Sequence, residues 1–185
     1  MRTNTLIHRG IKLIFVCTCI ILLLQAIYPY TRFYYYKPIF VPFQYRLNED
    51  NLVLVEGETF QLRIQGLNKR LHFKTTDFRV AEVLFTGKVF AHRTGTASIT
   101  VSVDDYEVKC LVTVININKS KTSISIGETV QLRINGTSKS VKWSSDDEDI
   151  AEISKDGEVV GLMKGSTTVT GTVLGRTLKC NVIVS

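Results

Sequence analysis

The chain contains an internal repeat whose two copies are separated by a constant 70 residues. Residues 57–114 align with residues 127–184 without a gap. Identical pairs include Glu58 and Glu128, Gln61 and Gln131, Leu62 and Leu132, Arg63 and Arg133, Gly87 and Gly157, and Lys109 and Lys179. A repeat of this length predicts two consecutive copies of one small domain. We predict domain 1 at residues 47–116, called the first copy, and domain 2 at residues 117–185, called the second copy.

Within each copy, apolar and polar residues alternate, which is the pattern of strands that bury one face. Ala97, Ile99, Val101 and Val103, for example, are separated by serine and threonine residues. Turn residues such as those of Asp156-Gly157 separate the alternating runs. About seven short strands in each copy predict a β-sandwich. The predicted fold class is all-β, with two tandem Ig-like β-sandwich domains behind one N-terminal transmembrane helix.

The second copy resembles the bacterial Ig-like domain of group 2. The resemblance rests on five segments in order: residues 124–132, 141–146, 150–153, 156–161 and 164–170. The first copy departs from this pattern where Phe73 replaces Trp143 and where Thr75-Thr76-Asp77 replaces a Ser-Ser-Asp turn. The resemblance implies an extracytoplasmic sandwich of the kind found in intimin- and invasin-type adhesins and in accessory modules of surface enzymes. It implies no ligand and no catalytic residue.

A hydrophobic segment precedes the repeat and has the length of a membrane span. Residues 11–30 are predicted to form an uncleaved signal anchor after a short cytoplasmic tail at residues 1–10. Cys17 and Cys19 lie inside this apolar run, so packing is favoured over lipidation. Arg2, Arg9 and Lys12 lie before or at the start of the span and three basic residues follow it, so charge alone leaves the orientation open. The short tail and the type of domain place residues 31–185 outside the cell.

Residues 31–46 are rich in aromatic residues and contain two prolines. Amphipathic rings at the end of a span are typical of the membrane interface, and prolines discourage a continued helix. We therefore predict an extended stalk. Phe33, Tyr34, Tyr35 and Tyr36 are possible contact residues for another membrane protein.

The net charge of +6 lies entirely in the N-terminal part of the chain. Residues 1–46 contain six basic residues and no acidic one, whereas residues 47–185 contain 17 of each. Because the two copies are neutral overall, the basicity belongs to the membrane flank. This distribution argues against nucleic-acid binding.

The remaining chemistry-bearing residues are assigned mainly to structure. Cys110 and Cys180 occupy equivalent positions of successive copies, so a disulfide is not expected and both are predicted core residues. Phe73 and Trp143 are the predicted aromatic core residues. The acidic residues Asp146, Asp147 and Asp149 form a candidate calcium loop, although the first copy lacks these carboxylates and acidic loops are usually solvated.

No nucleophile elbow, phosphate-binding loop or histidine spacing typical of a metal site is present in the sequence. We therefore expect a non-enzymatic, membrane-anchored surface protein without a cofactor. Its two domains would mediate adhesion, or contact with an envelope protein or glycan. The alternative is a structural spacer or scaffold subunit of a membrane complex, docked through the aromatic stalk.

Overall fold

The computed structural model describes residues 45–64 and 71–185, together with Thr18 and Ile20, which have helical backbone. Apart from Thr18 and Ile20, the predicted membrane span lies outside the described residues, as does most of the predicted stalk, including Phe33 to Tyr36. Among the residues described, no helix is long and apolar enough to cross a membrane. All regular secondary structure in residues 45–64 and 71–185 is β-strand, so the predicted all-β class is confirmed for this part of the chain.

Fifteen strands are present in the described chain, and most of them recur at an offset of 70 residues. In order they are β1 Asn51–Val55, β2 Thr59–Gln61, β3 His72–Thr75, β4 Ala81–Val83, β5 Lys88–Ala91, β6 Gly95–Val103, β7 Tyr106–Ile117, β8 Lys121–Ile124, β9 Thr129–Gln131, β10 Ile134–Asn135, β11 Lys142–Ser145, β12 Ala151–Ile153, β13 Glu158–Gly161, β14 Gly165–Val173 and β15 Arg176–Val184. The equivalent of β10 in the first copy is the isolated bridge between Leu47 and Ile64.

Each copy contains two sheets with the same strand order. In the first copy the sheets are β1-β7-β6-β3 and β2-β5-β4. In the second copy they are β8-β15-β14-β11 and β9-β13-β12. All pairs are antiparallel except β1 with β7 and β8 with β15, which are parallel. Two sheets that enclose one apolar core are consistent with an Ig-like sandwich.

The core of each copy lies on the inward face of its long strands. Ala97, Ile99, Val101 and Val103 of β6 are almost completely buried, while the serines and threonines between them are partly exposed. This is the outcome expected when side chains alternate between two faces of a strand. The burial of these branched aliphatic side chains is the main stabilising contribution to each copy.

Strand β7 belongs to both copies. Its residues Tyr106 to Ile115 pair with β6 and β1, whereas Asn116 and Ile117 pair with β10 of the second copy. Val114 and Ile115 are consecutive and both fully buried. Consecutive side chains point to opposite faces of a strand, so β7 buries one face in the first core and the opposite face in the second.

Strand β7 thus runs directly into the second copy, and residues 114–118 contain neither glycine nor proline. The described residues of both copies accordingly belong to one compact unit. The boundary between residues 116 and 117 stays a prediction, because a single strand continues through it.

Candidate partner-contact surface

The predicted aromatic core residues occupy equivalent positions and have different cross-strand partners. Trp143 of β11 is paired with Gly171 of β14, and Phe73 of β3 is paired with Val101 of β6. A β-carbon at Gly171 would lie only 2.6 Å from Cζ3 of Trp143, so glycine makes room for the larger ring. Both aromatic residues are half-buried, and Trp143 packs against the second core. The rings of Phe73 and Trp143 therefore act as packing groups.

The two cysteines of the described chain lie in the cores and are free thiols. Cys110 and Cys180 have no exposed surface. Loss of hydration raises the pKa of the Cys110 thiol to about 11, and burial also raises the pKa of Cys180. Because the thiolate is the reactive form, neither group is set up for nucleophilic or redox chemistry at neutral pH.

The candidate calcium loop uses an aspartate to hold its own backbone. Oδ1 of Asp147 accepts a hydrogen bond of 3.1 Å from the backbone N–H of Asp149. Its equivalent, Asp77, accepts a bond of 3.0 Å from the backbone N–H of Arg79. The Arg79 guanidinium also hydrogen-bonds the Asp77 carboxylate and lowers its pKa. This aspartate therefore shapes the turn in both copies.

Asp146, Asp147 and Asp149 are exposed on this loop. Within residues 45–64 and 71–185, no group of three or more histidine, cysteine or acidic side chains converges in a way that could hold a metal ion. The calcium hypothesis gains no support from the described loop.

Polar and apolar contacts fix the joint between the copies. The Arg176 guanidinium in the second copy hydrogen-bonds both carboxylate oxygens of Glu58 in the first. Within the first copy, at the point where β7 passes into the second, the Asn116 amide donates a 2.9 Å hydrogen bond to Glu56. Val53 and Val55 of β1 pack against the buried cluster that runs from Ile115 through the second core.

One glycine makes this joint close-fitting. Gly136 follows β10 and has a φ of +89°, a conformation that L-residues rarely adopt. A β-carbon here would overlap the carbonyl oxygen of Val114 and lie 3.2 Å from Cα of Ile115. The backbone of the second copy thus lies directly against that of β7, which allows little movement at the joint.

Three apolar side chains are exposed at the end of the second copy that lies away from this joint. Ile126, Leu162 and Met163 have 58, 47 and 52% of their surface exposed. They come from two neighbouring turns, because the N–H of Gly127 donates a 2.8 Å hydrogen bond to the carbonyl of Gly161. We call these three residues the apolar end patch. Exposed apolar side chains grouped on neighbouring turns often mark contact with a partner.

The first copy has polar residues at the same three positions, namely Glu56, His92 and Arg93. The His92 ring forms a 2.8 Å hydrogen bond with the Glu82 carboxylate, and Glu56 accepts the hydrogen bond from Asn116. The patch is therefore a feature of the second copy alone. Sequence reasoning missed it, although a comparison of the differing positions of the repeat contained the signal.

The stalk residues predicted to contact a partner, Phe33 to Tyr36, are outside the described residues. Tyr45, the last aromatic residue of the predicted stalk, is among the described residues. The ring of Tyr45 makes an edge-to-face contact with that of Tyr106, with the ring centroids 5.1 Å apart. Tyr106 begins β7, so the end of the stalk packs against the first copy.

Comparison with known families supports the sequence resemblance. Residues 111–182 match the family of the bacterial Ig-like domain (group 2). The matched segment runs from the middle of β7 to the last strand, so it covers the strands of the second Ig-like domain. The resemblance predicted from the sequence is thereby confirmed for this segment.

The chain is also similar to individual proteins. It is 27% identical over 158 residues to an uncharacterised protein of Clostridium acetobutylicum, covering 75% of this chain and 16% of that protein. Among solved structures, the S-layer protein rSbsC(31–844) is 22% identical, with a TM-score of 0.35 over 68% of this chain and 22% of that chain. A C-terminal intimin fragment, solved with the intimin-binding domain of the translocated intimin receptor, is 16% identical, with a TM-score of 0.43 over 75% of this chain and 61% of the fragment.

Proposed function

We propose that this protein is a non-enzymatic, membrane-anchored surface protein whose tandem Ig-like domains contact a partner protein or glycan in the cell envelope. The apolar end patch carries this proposal. Apolar side chains gain free energy when they leave water, so three of them together at the end of a polar copy favour association with a partner. The first copy has polar residues at the same positions, so the fold itself does not require apolar residues there.

The joint and the predicted anchor supply the rest of the proposal. A shared strand, an interdomain ion pair and a close backbone approach at Gly136 hold the second copy in a defined direction from the first. The predicted anchor at residues 11–30 would hold the chain at the membrane. The family match at residues 111–182 agrees with a location outside the cytoplasm.

Surface labelling in intact cells tests the location. Phe85 is 87% exposed, and a Phe85→Cys variant would place a reactive thiol in a turn of the first copy. We expect a membrane-impermeant maleimide to label this variant in intact cells, with the wild-type chain as the matched control for the native cysteines. Labelling only after cell lysis would contradict the proposal.

Crosslinking tests the contact function separately. We expect a crosslinker in intact cells to capture a protein or a glycan from a photoreactive side chain at Leu162, and much less from one at the equivalent His92. Capture of lipids alone, or equal capture from both positions, would argue against contact through the end patch.

A scaffold role through the stalk is the second candidate, and the contact of Tyr45 with Tyr106 favours it. Tyr45 belongs to the predicted stalk, so one aromatic residue of this segment makes a side-chain contact with the first copy. Replacement of residues 33–36 by serine should then abolish co-purification of membrane partners. Unchanged co-purification would remove this candidate.

A further inference from the structure

The joint shows what one end of this fold binds, and the glutamate-bearing turn at that end recurs in the second copy. Glu58 accepts a 2.9 Å hydrogen bond from the backbone N–H of Val55, and its equivalent Glu128 accepts a 2.8 Å bond from that of Ser125. The two carboxylates are therefore held in the same way by equivalent turns. Glu58 also binds Arg176 of the second copy.

Glu128 is exposed and has no ion-pair partner within the described part of the chain. A carboxylate that is already oriented by its own backbone is preorganised to receive a guanidinium, which binds carboxylates through two parallel hydrogen bonds. The ion pair at the joint thus indicates the cation that would complete the end of the second copy.

Arg176 reaches the first copy from the turn Leu174-Gly175-Arg176. Leu174 lines a groove of about 360 Å³ together with Val53 of the first copy, and 39% of its surface stays exposed. The occupant of this end of a copy is thus an arginine that comes with an apolar side chain. The end patch offers the same combination, because Ile126 lies two residues before Glu128.

The apolar surface is nevertheless placed differently in the two copies. Val53 and Val55, which are half-buried at the joint, are replaced by the exposed Ser123 and Ser125. Leu162 and Met163 instead provide apolar surface on the neighbouring turn. An apolar side chain that accompanies the arginine would therefore contact Leu162 and Met163 rather than residues at the positions of Val53 and Val55.

Charge around the end patch limits the occupant further. The exposed loop Asp146 to Asp149 contains four acidic residues, and the N–H groups of Leu162 and Met163 both bond the carbonyl of Ile150 directly after it. Lys164 is the cation next to the patch in sequence. This acidic rim attracts a basic partner and repels an anionic lipid surface.

The same charge argues against head-to-tail association of two chains. In the first copy, the turn equivalent to Leu174-Gly175-Arg176 is Asp104-Asp105-Tyr106. Placed at the end of a second chain, its two aspartates would face Glu128 and the acidic loop. Like charges across a contact are unfavourable, so this stacking is disfavoured.

We propose that the apolar end patch, together with Glu128, binds a protein segment that presents an arginine beside an apolar side chain. The arginine pairs with Glu128, and the apolar side chain covers Ile126, Leu162 and Met163. This inference rests on the proposed contact function and specifies the chemistry of the partner.

Two cyclised hairpin peptides taken from the chain itself provide the probe and its control. The peptide of residues 170–179 presents Leu-Gly-Arg at its turn, and the peptide of residues 100–109 presents Asp-Asp-Tyr at the same position. Binding of the fluorescently labelled peptides to the full-length chain in nanodiscs is measured by fluorescence anisotropy. We expect the 170–179 peptide to bind at least tenfold more tightly.

Variants locate the binding. Ile126→Glu, Leu162→His and Met163→Arg together install the first copy's own residues, which the fold already accepts, and should lower the affinity at least tenfold, as should Glu128→Gln. Phe85→Lys installs the second copy's residue at an exposed position elsewhere and should leave the affinity unchanged. Glu58→Gln should also leave it unchanged, which separates the end patch from the joint.

Equal affinity for the two peptides, or unchanged affinity in the triple variant, would overturn the proposal. Concentration-dependent dimers in sedimentation that disappear in the triple variant would also overturn it, in favour of a second copy as the occupant. The labelling of Phe85→Cys in cells reports location and this assay reports surface chemistry. Failure of the partner assignment can therefore be distinguished from failure of the proposed function.

Discussion

The pair formed by Trp143 and Gly171 allows a quantitative test of how the two copies are packed. A β-carbon at residue 171 would lie 2.6 Å from Cζ3 of Trp143 and 3.0 Å from Cδ1 of Ile134, and valine adds two further methyl groups. Because the indole ring is rigid and cannot relieve this clash by a change of its own shape, we expect Gly171→Val to destabilise the protein by about 2 kcal/mol. Trp143→Phe leaves unfilled volume and should cost about 2 kcal/mol.

The double variant reproduces the pair that the first copy uses, phenylalanine opposite valine. The smaller ring vacates the volume that the valine needs, so the double variant should lose only about 1.5 kcal/mol. The coupling free energy is then about 2.5 kcal/mol, within the range seen for residues in contact. The reverse exchange in the first copy, Phe73→Trp with Val101→Gly, should show coupling of the same sign.

Urea unfolding measures these free energies. Circular dichroism is the suitable signal, because Trp143 is the only tryptophan of the chain and its fluorescence is lost in the variant. A loss in the double variant that equals the sum of the two single losses to within about 0.5 kcal/mol would refute the reasoning. Such additivity is the behaviour of residues that do not share packing space.

Three other substitutions test local features of the structure. Gly136→Ala should lower the free energy of unfolding in urea by at least about 3 kcal/mol, because its β-carbon overlaps the backbone of β7. Gly127→Ala is the control: its φ is +82° and no atom lies within 4 Å of the added carbon, so it should lose only about 1 kcal/mol. Equal losses would contradict the close backbone approach at the joint. The buried Cys110 thiol has its pKa raised from 9.0 to about 11, so it stays protonated where the unfolded thiol ionises. Its contribution to stability is complete below pH 9 and is lost as the pH rises to 11, by up to about 3 kcal/mol relative to Cys110→Ala; parallel pH profiles of urea unfolding would exclude this linkage. The hydroxyl of Thr75 is buried without a hydrogen-bond partner in the described structure. Thr75→Val should therefore raise the free energy of unfolding by about 1 kcal/mol, and with it the melting temperature. A lower melting temperature would show that the hydroxyl has a hydrogen-bond partner.

The sequence was sufficient to predict the fold class because the repeat and the period-two alternation act locally. Gly57 to Val114 and its copy share both composition and spacing, so turns and strands recur at the same offset. The parallel pairing of β1 with β7 was not predictable in this way. These strands are about 60 residues apart, and periodicity contains no information about which distant strands become neighbours.

The candidate surface was harder to predict than the fold. The positions that are identical in the two copies, such as Cys110 and Gly87, are those that maintain the structure. Ile126, Leu162 and Met163 are apolar residues in turns, and they look like ordinary core residues until their exposure is known. The stalk residues Phe33 to Tyr36 stay a prediction.

The parallel strand pairs have a mechanical consequence. In each copy the chain enters at the start of β1 or β8 and leaves at the end of β7 or β15, and the strands of each pair run in the same direction. Tension between the two ends of a copy therefore slides these strands past one another, and their hydrogen bonds are loaded together. An antiparallel hairpin pulled at its open end would lose its bonds one at a time. A force applied between the N-terminal segment and the end of β15 would therefore load the parallel strand pairs of both copies in shear, the geometry in which they resist extension most strongly.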